Sequence, residues 1–254
     1  MTTASTSRLR GQAVIVTGAG SGIGRAAALA FARAGAHVLA VGRRADALRQ
    51  TADRHPGIAT LPADITADGA AQEVIDAAAG RWGRLDVLVN NAGATTVMPL
   101  ADTDARRVAD LLALNVTAPS LLARAALPHL RAARGAIVNI SSTYGHRPLP
   151  GAAHYAASKA AIEQLTRSWA LELAADGIRV NALAPGPTES EALTAAGLPD
   201  AVVEQIKRDE TAAIPLGRRG TPEEVAAWIV HLADPAATWI TGQVLTVDGG
   251  LELT

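Results

Sequence analysis

A chain of 254 residues, 49% hydrophobic and 19% charged, has the length and apolar content of one self-sufficient α/β domain. Its 23 basic and 24 acidic residues leave a net charge of −1, so no basic excess points to nucleic acid or an anionic membrane. Cysteine is absent, which excludes disulfides, thiolate zinc sites and cysteine nucleophiles together.

In chain order, residues 1–10 read as a flexible polar arm and residues 11–254 as a single domain. The start lacks the apolar stretch of a secretory signal, and no apolar run approaches the roughly 18 to 20 residues of a bilayer span. The expected location is therefore cytoplasmic, without membrane contact. Short aliphatic runs then alternate with Ala-rich stretches, the pattern of a parallel sheet flanked by helices. Strands are expected near Ala13–Thr17, His37–Val41, Ile58–Pro62, Val87–Asn90, Ala136–Ser141, Arg179–Ala184 and Gln243–Val247. Helices are expected near Ile23–Ala34, Ala45–His55, Gly69–Trp82, Ala105–Arg131, His154–Ala174, Pro199–Thr211 and Pro222–Ala233. Strands apolar on both faces require a sheet covered on both sides. The predicted fold is a doubly wound, seven-stranded parallel sheet of Rossmann type in a three-layer α/β/α sandwich. Pro185–Pro215 is the least regular late segment and reads as a substrate lid or as an ordinary surface crossover.

The first strand runs into Thr17-Gly18-Ala19-Gly20-Ser21-Gly22-Ile23-Gly24 and then a helix. Glycines allow a tight turn and close approach to a pyrophosphate, which the N–H groups of a helix start then hold. The spacing is T-G-x-x-x-G-x-G rather than G-x-G-x-x-G, and taken alone it also suits a structural turn. Further on, Tyr155-Ala156-Ala157-Ser158-Lys159 puts Tyr and Lys one helical turn apart on one face. A phenol near pKa 10 is a poor base at neutrality, and a neighbouring ammonium favours its ionised form. Ser142 ends a buried strand 13 residues before Tyr155, with its hydroxyl placed to bind an oxygen.

The glycine motif, Asn90-Asn91-Ala92-Gly93, a Ser 13 residues before a Tyr, and Y-x-x-x-K in this order resemble the short-chain dehydrogenase/reductase family. The likeness covers essentially Gly11 to Gly250, at the length of the family's simpler branch. It implies that Tyr155 is the general acid/base and that Ser142 orients the substrate carbonyl. Lys159 would lower the Tyr155 pKa and hydrogen-bond the nicotinamide ribose. Asn115 matches the helix Asn that holds a water in the family's proton relay. Gly18, Ser21, Gly22, Ile23 and Gly24 form the expected cofactor loop, and Asn91, Ala92 and Gly93 run past the cofactor. Asp64 and Ile65 match the pair at the adenine, and Pro185-Gly186 begins the nicotinamide-side loop. The family's P-G-x-x-x-T departs here, with Ser190 in place of Thr and Thr188 as an alternative donor.

The end of the second strand carries Gly42 where NAD-using relatives carry an acid, followed by Arg43 and Arg44. Paired guanidinium donors suit a 2′-phosphate, so NADP (NADPH) is the expected cofactor and NAD the alternative. The arginines read otherwise as the solvated start of a helix. No His spacing suits a metal, and none is expected. His146 and His154 flank the catalytic segment, where they line the substrate site or serve as a loop and a helix-start residue. The expected activity is interconversion of a small-molecule ketone and a secondary alcohol by a Ser-Tyr-Lys-Asn set. An NAD-dependent alcohol dehydrogenase or a non-catalytic dinucleotide sensor are the alternatives. In the family the helices corresponding to Ala105–Arg131 and His154–Ala174 often pack against a partner subunit, which implies a homotetramer, with a dimer next.

Overall fold

A computed structural model of the chain describes residues 8–190 and 199–254. Seven strands form one parallel sheet: β1 (Ala13–Thr17), β2 (His37–Gly42), β3 (Ile58–Pro62), β4 (Val87–Asn90), β5 (Ala136–Ile140), β6 (Arg179–Pro185) and β7 (Val244–Val247). Their spatial order is β3-β2-β1-β4-β5-β6-β7. The helices are α1 (Gly22–Arg33), α2 (Ala45–Ala52), α3 (Ala70–Trp82), α4 (Ala105–Leu112), α5 (Ala118–Ala133), α6 (Ala153–Leu173), α7 (Asp200–Ala213) and α8 (Pro222–Ala233). The predicted elements stand, with ends shifted by a few residues.

Strand alternation builds two cores from one sheet. Val14 and Val16 of β1, with Val38, Val87 and Val138, face α1 and α8. Ile15, with Leu39, Leu88 and Ile137, faces α3, α5 and α6. Both faces are apolar because both are covered. The order in which successive strands are added reverses between β1 and β4, and a crevice opens there at the carboxyl ends of the strands.

Three expectations need correction. The helix expected over Ala105–Arg131 is α4 and α5 joined by a π-turn at Ala113–Thr117. The periodicity is blind to one extra residue in a turn; Asn115 sits at its centre, buried to 2% exposure. Running on without a break, Ala105–Ala133 is long and apolar enough to cross a membrane by length and composition, contrary to the earlier count. Polar residues interspersed in it hid that length. Leu122, Ala126 and Leu130 on it are fully buried in the α3-side core. Lastly, residues 8–10 are not an arm: Leu9 is buried in the α1-side core, and its carbonyl accepts from Gln12 N. The rest of the expected arm lies outside the described residues, as do residues 191–198 of the expected lid.

Candidate active site

The crevice holds a cavity of about 440 Å³. Its walls carry Gly18, Ser21, Gly22, Ile23, Gly24, Arg43, Arg44, Asp64, Ile65, Asn91, Ala92, Gly93 and Ser190, all singled out in the sequence. Leu48, Ala63, Leu114 and Gly42 line it as well. Two glycines are required by geometry. Gly18 turns at φ 68°, and a Cβ there would stand 2.8 Å from Asn91 Nδ2. A Cβ on Gly24 would overlap the Gly18 carbonyl oxygen. Thr17 fixes the far wall: its Oγ1 accepts from the N–H groups of Asn91 and Ala92, each at 3.0 Å.

This wall suits a dinucleotide. Ser21 is the N-cap of α1, yet its hydroxyl makes no cap bond and the first turn holds no acid. The N–H groups of that turn are left for an anion. Arg44 donates to Ser21 Oγ at 3.3 Å, which sets a guanidinium over the same turn. Thr66 donates to Asp64 through its N–H and hydroxyl, and with the nearby Arg43 this holds the carboxyl below its usual range despite partial burial.

The catalytic candidates meet where β5 ends. Ser142 is buried, accepts from Tyr144 N at 3.2 Å and lies close enough to the Tyr155 phenol to favour its ionised form. Lys159, one turn along α6, is 6% exposed and donates from Nζ to Ile140 O at 2.9 Å. That Nζ lies 3.3 Å from where a Cβ of Gly93 would stand, against the cavity wall. An ammonium has three donors, so two remain for a ligand there. Burial lowers the Lys159 pKa to about 8.

The depressed phenol expected of Tyr155 is not found. Burial raises it, Ser142 opposes that rise, and Tyr144 adds to it. Desolvation outweighs the Ser142 contribution, and the Lys159 ammonium stands 5.9 Å from the centre of the Tyr155 ring.

Asn115 spends its side chain on the fold. Its Nδ2 donates to Ala94 O at 2.9 Å and to Ser158 Oγ at 3.0 Å, while Oδ1 accepts from Ala94 N. Ser158 in turn donates to Tyr155 O, so the π-turn, the loop after β4 and the catalytic helix are tied together. Pro185 closes β6, and Gly186 N donates to Val247 O. Thr188 is buried and its hydroxyl donates to Gly186 O, whereas Ser190 stands on the cavity wall.

A family model described as enoyl-(acyl carrier protein) reductase matches residues 18–252. The 3-oxoacyl-[acyl-carrier-protein] reductase of Thermotoga maritima is 38% identical over 251 residues, 97% of this chain and all of that protein. The cis-4-hydroxycyclohexanecarboxylate dehydrogenase of Sinomonas cyclohexanicum is 41% identical, covering 93% and 94% of the two chains. A short-chain dehydrogenase/reductase of unknown function from Caenorhabditis elegans, solved with cofactor, superposes with a TM-score of 0.91 at 35% identity over 97% of each chain. The chain is a short-chain dehydrogenase/reductase.

As a member of this family it is an oxidoreductase acting on CH–OH groups with a nicotinamide dinucleotide. Some working parts of this short-chain dehydrogenase/reductase escaped the motif search. Buried Asn139 accepts from Asn90 and donates to Thr166, each at 2.9 Å, and so pins β4, β5 and α6 together. A polar residue inside the apolar run Ala136–Ile140 was the available signal. Tyr144 near Tyr155 had none, since it is one residue among many in a turn. Both ring nitrogens of His146 are engaged, with Glu163 and Glu252.

Proposed function

We propose that this enzyme is an NADP-preferring ketoreductase that interconverts a ketone and a secondary alcohol by hydride transfer, with an aliphatic or alicyclic substrate. The observation that carries the reading is the convergence of Ser142, just past the end of β5, with Tyr155 on the first turn of α6 and Lys159 buried one turn behind, its ammonium tied to Ile140 O. Two neighbouring hydroxyls offer two donors to one oxygen, and Lys159 Nζ, 3.3 Å from where a Cβ of Gly93 would stand, links them to the dinucleotide cavity that Gly93 lines. Bound NADPH would supply the hydride to the carbonyl carbon. Tyr155 gives its proton to the carbonyl oxygen and Ser142 donates a second hydrogen bond as negative charge grows there. Lys159 keeps a positive charge behind the phenol and presents its remaining donors to the cofactor ribose. Gly42, Arg43 and Arg44 on one cavity wall support the NADP preference.

The substrate class draws on the few aromatics around the site and on the alicyclic dehydrogenase among the relatives. A panel of alicyclic, linear and acyl-chain ketones, followed through nicotinamide absorbance with NADPH and with NADH, tests it. Turnover of alicyclic ketones with NADPH is the expected result. Activity confined to acyl-thioester substrates, or none on any ketone, overturns the reading.

A homotetramer is proposed for the assembly. The most apolar stretch of Ala105–Ala133 is only 39% buried within one chain, and Leu112 and Leu121 lie exposed on the same continuous helix. Leu171 on α6 is 83% exposed. Packing such faces against a second copy removes apolar surface from water at roughly 25 cal/mol per Å². Light scattering at micromolar concentration is expected to give four chain masses. A monomeric mass would exclude the proposal.

A further inference from the structure

We infer that His146 is a positioning residue: it clamps the turn after Ser142 to α6 and to the C-terminal segment, and does so fully only as the imidazolium. Its Nδ1 lies 3.2 Å from Glu163 Oε1 and its Nε2 2.6 Å from Glu252 Oε2. A carboxylate only accepts hydrogen bonds, so both contacts need a proton on both ring nitrogens. Loss of one proton releases one contact.

What the clamp holds is the site itself. Glu163 lies one turn beyond Lys159, is 3% exposed and accepts from Ser141 Oγ at 2.7 Å. Ser141 Oγ also reaches Lys159 O, so this carboxylate joins the end of β5 to the catalytic helix. Gly145 is needed beside it, because a Cβ there would overlap Glu163 Oε1. On the other side, Glu252 sits in a segment tied to the same turn twice more. Thr143 Oγ1 donates to Asp248 at 3.1 Å, and Arg147 donates to Leu251 O at 2.8 Å. That segment reaches the nicotinamide-side loop as well, since a Cβ on Gly186 would stand 2.5 Å from Asp248 Cβ. It also accepts from the end of the α7 region, Leu216 N to Gly249 O.

The charged groups around the ring set the sign. Arg167 on α6 stands 3.8 Å from Glu163, Arg147 belongs to the ring's own stretch of chain, and Glu252 faces it from the C-terminal segment, where Asp248 accepts from Thr143 instead. Burial disfavours the charged ring, but the contacts with Glu163 and Glu252 outweigh it and raise the His146 pKa above 6.5. A raised histidine stabilises fully below its unfolded pKa and loses that contribution as pH climbs through the folded value. The clamp is therefore closed on the acid side and loosens toward alkaline pH.

The kinetic arm of the test rests on the ketoreductase reading; the spectroscopic arm does not. In the full chain, the His146 ring resonance should titrate above the free imidazole value, and Glu252→Gln should lower that midpoint. Amide exchange of residues 251–254, after correction for its intrinsic pH dependence, should quicken about two- to fivefold across the midpoint, the range of a partly exposed ion pair. His146→Gln should abolish that step. With saturating ketone and NADPH, kcat should fall across the same midpoint in the parent, and the step should vanish in His146→Gln and move with Glu252→Gln. A merely structural histidine would lower kcat or Tm at every pH and leave the step in place, and that result overturns the inference. An ordinary His146 midpoint, or exchange that is blind to it, overturns it even if no ketone is turned over.

Discussion

Replacing Tyr155 by Phe is expected to lower kcat by about 10²- to 10⁴-fold, the usual contribution of a positioned proton donor. The ring is half-buried on the first turn of α6, and Phe preserves its shape and packing. What is lost is the hydroxyl beside Ser142, the proposed proton donor. The glycine loop and the Arg44–Ser21 contact are separate from that hydroxyl, so dinucleotide affinity should change little. Kd by fluorescence quenching and kcat by nicotinamide absorbance together check this. A mutant with parental kcat would remove Tyr155 from the reaction. Because burial holds the phenol high, its protonated form persists to alkaline pH, and reduction should not lose its proton donor near neutrality.

The second large effect concerns the cofactor. Gly42→Asp is expected to reverse the proposed NADPH preference, by roughly ten- to a hundredfold in kcat/KM. A charge-assisted contact contributes about 1.5–3 kcal/mol, and each 1.4 kcal/mol is about tenfold. The site admits the change, since a Cβ on Gly42 meets only Leu48 Cδ2 at 3.6 Å, an ordinary contact. A carboxylate there repels a 2′-phosphate and accepts from ribose hydroxyls. Arg43→Ala should raise KM for NADPH and leave NADH nearly unchanged. Arg43 is exposed, so solvent screening places its share toward the low end. Equal use of both cofactors by the parent enzyme would reduce both arginines to the start of α2.

Much of this architecture was legible because parallel sheets write both faces into each strand. Runs such as Ala13–Thr17 are buried at every position, and a run with no polar face has few folds open to it. The cavity wall was legible for a related reason: glycine loops are forced by backbone proximity, as the Gly18–Asn91 approach shows. The Tyr155 environment was not. Whether an ammonium or desolvation governs a phenol depends on ångström-scale distance and on buried area, which a spacing of four residues does not carry. The Glu163–His146–Glu252 arrangement draws on three separate stretches of chain, and no local pattern marks it. That the Thr188 hydroxyl is spent on Gly186 O likewise depends on the path of the backbone after β6, which the order of residues does not carry.

The π-turn at Ala113–Thr117 also sets the phase of everything after it. Each residue advances an α-helix by about 100°, so one residue more or fewer swings the following helix by that angle. Leu122, Ala126 and Leu130 form the stripe by which α5 joins the α3-side core. Deleting a single residue from the bulge would restore regular α-helical bonding and at the same time turn that stripe toward water. The irregularity that seats Asn115 is thus locked in place by packing several turns away, and the chain cannot mend it without repacking half of the sheet's outer layer.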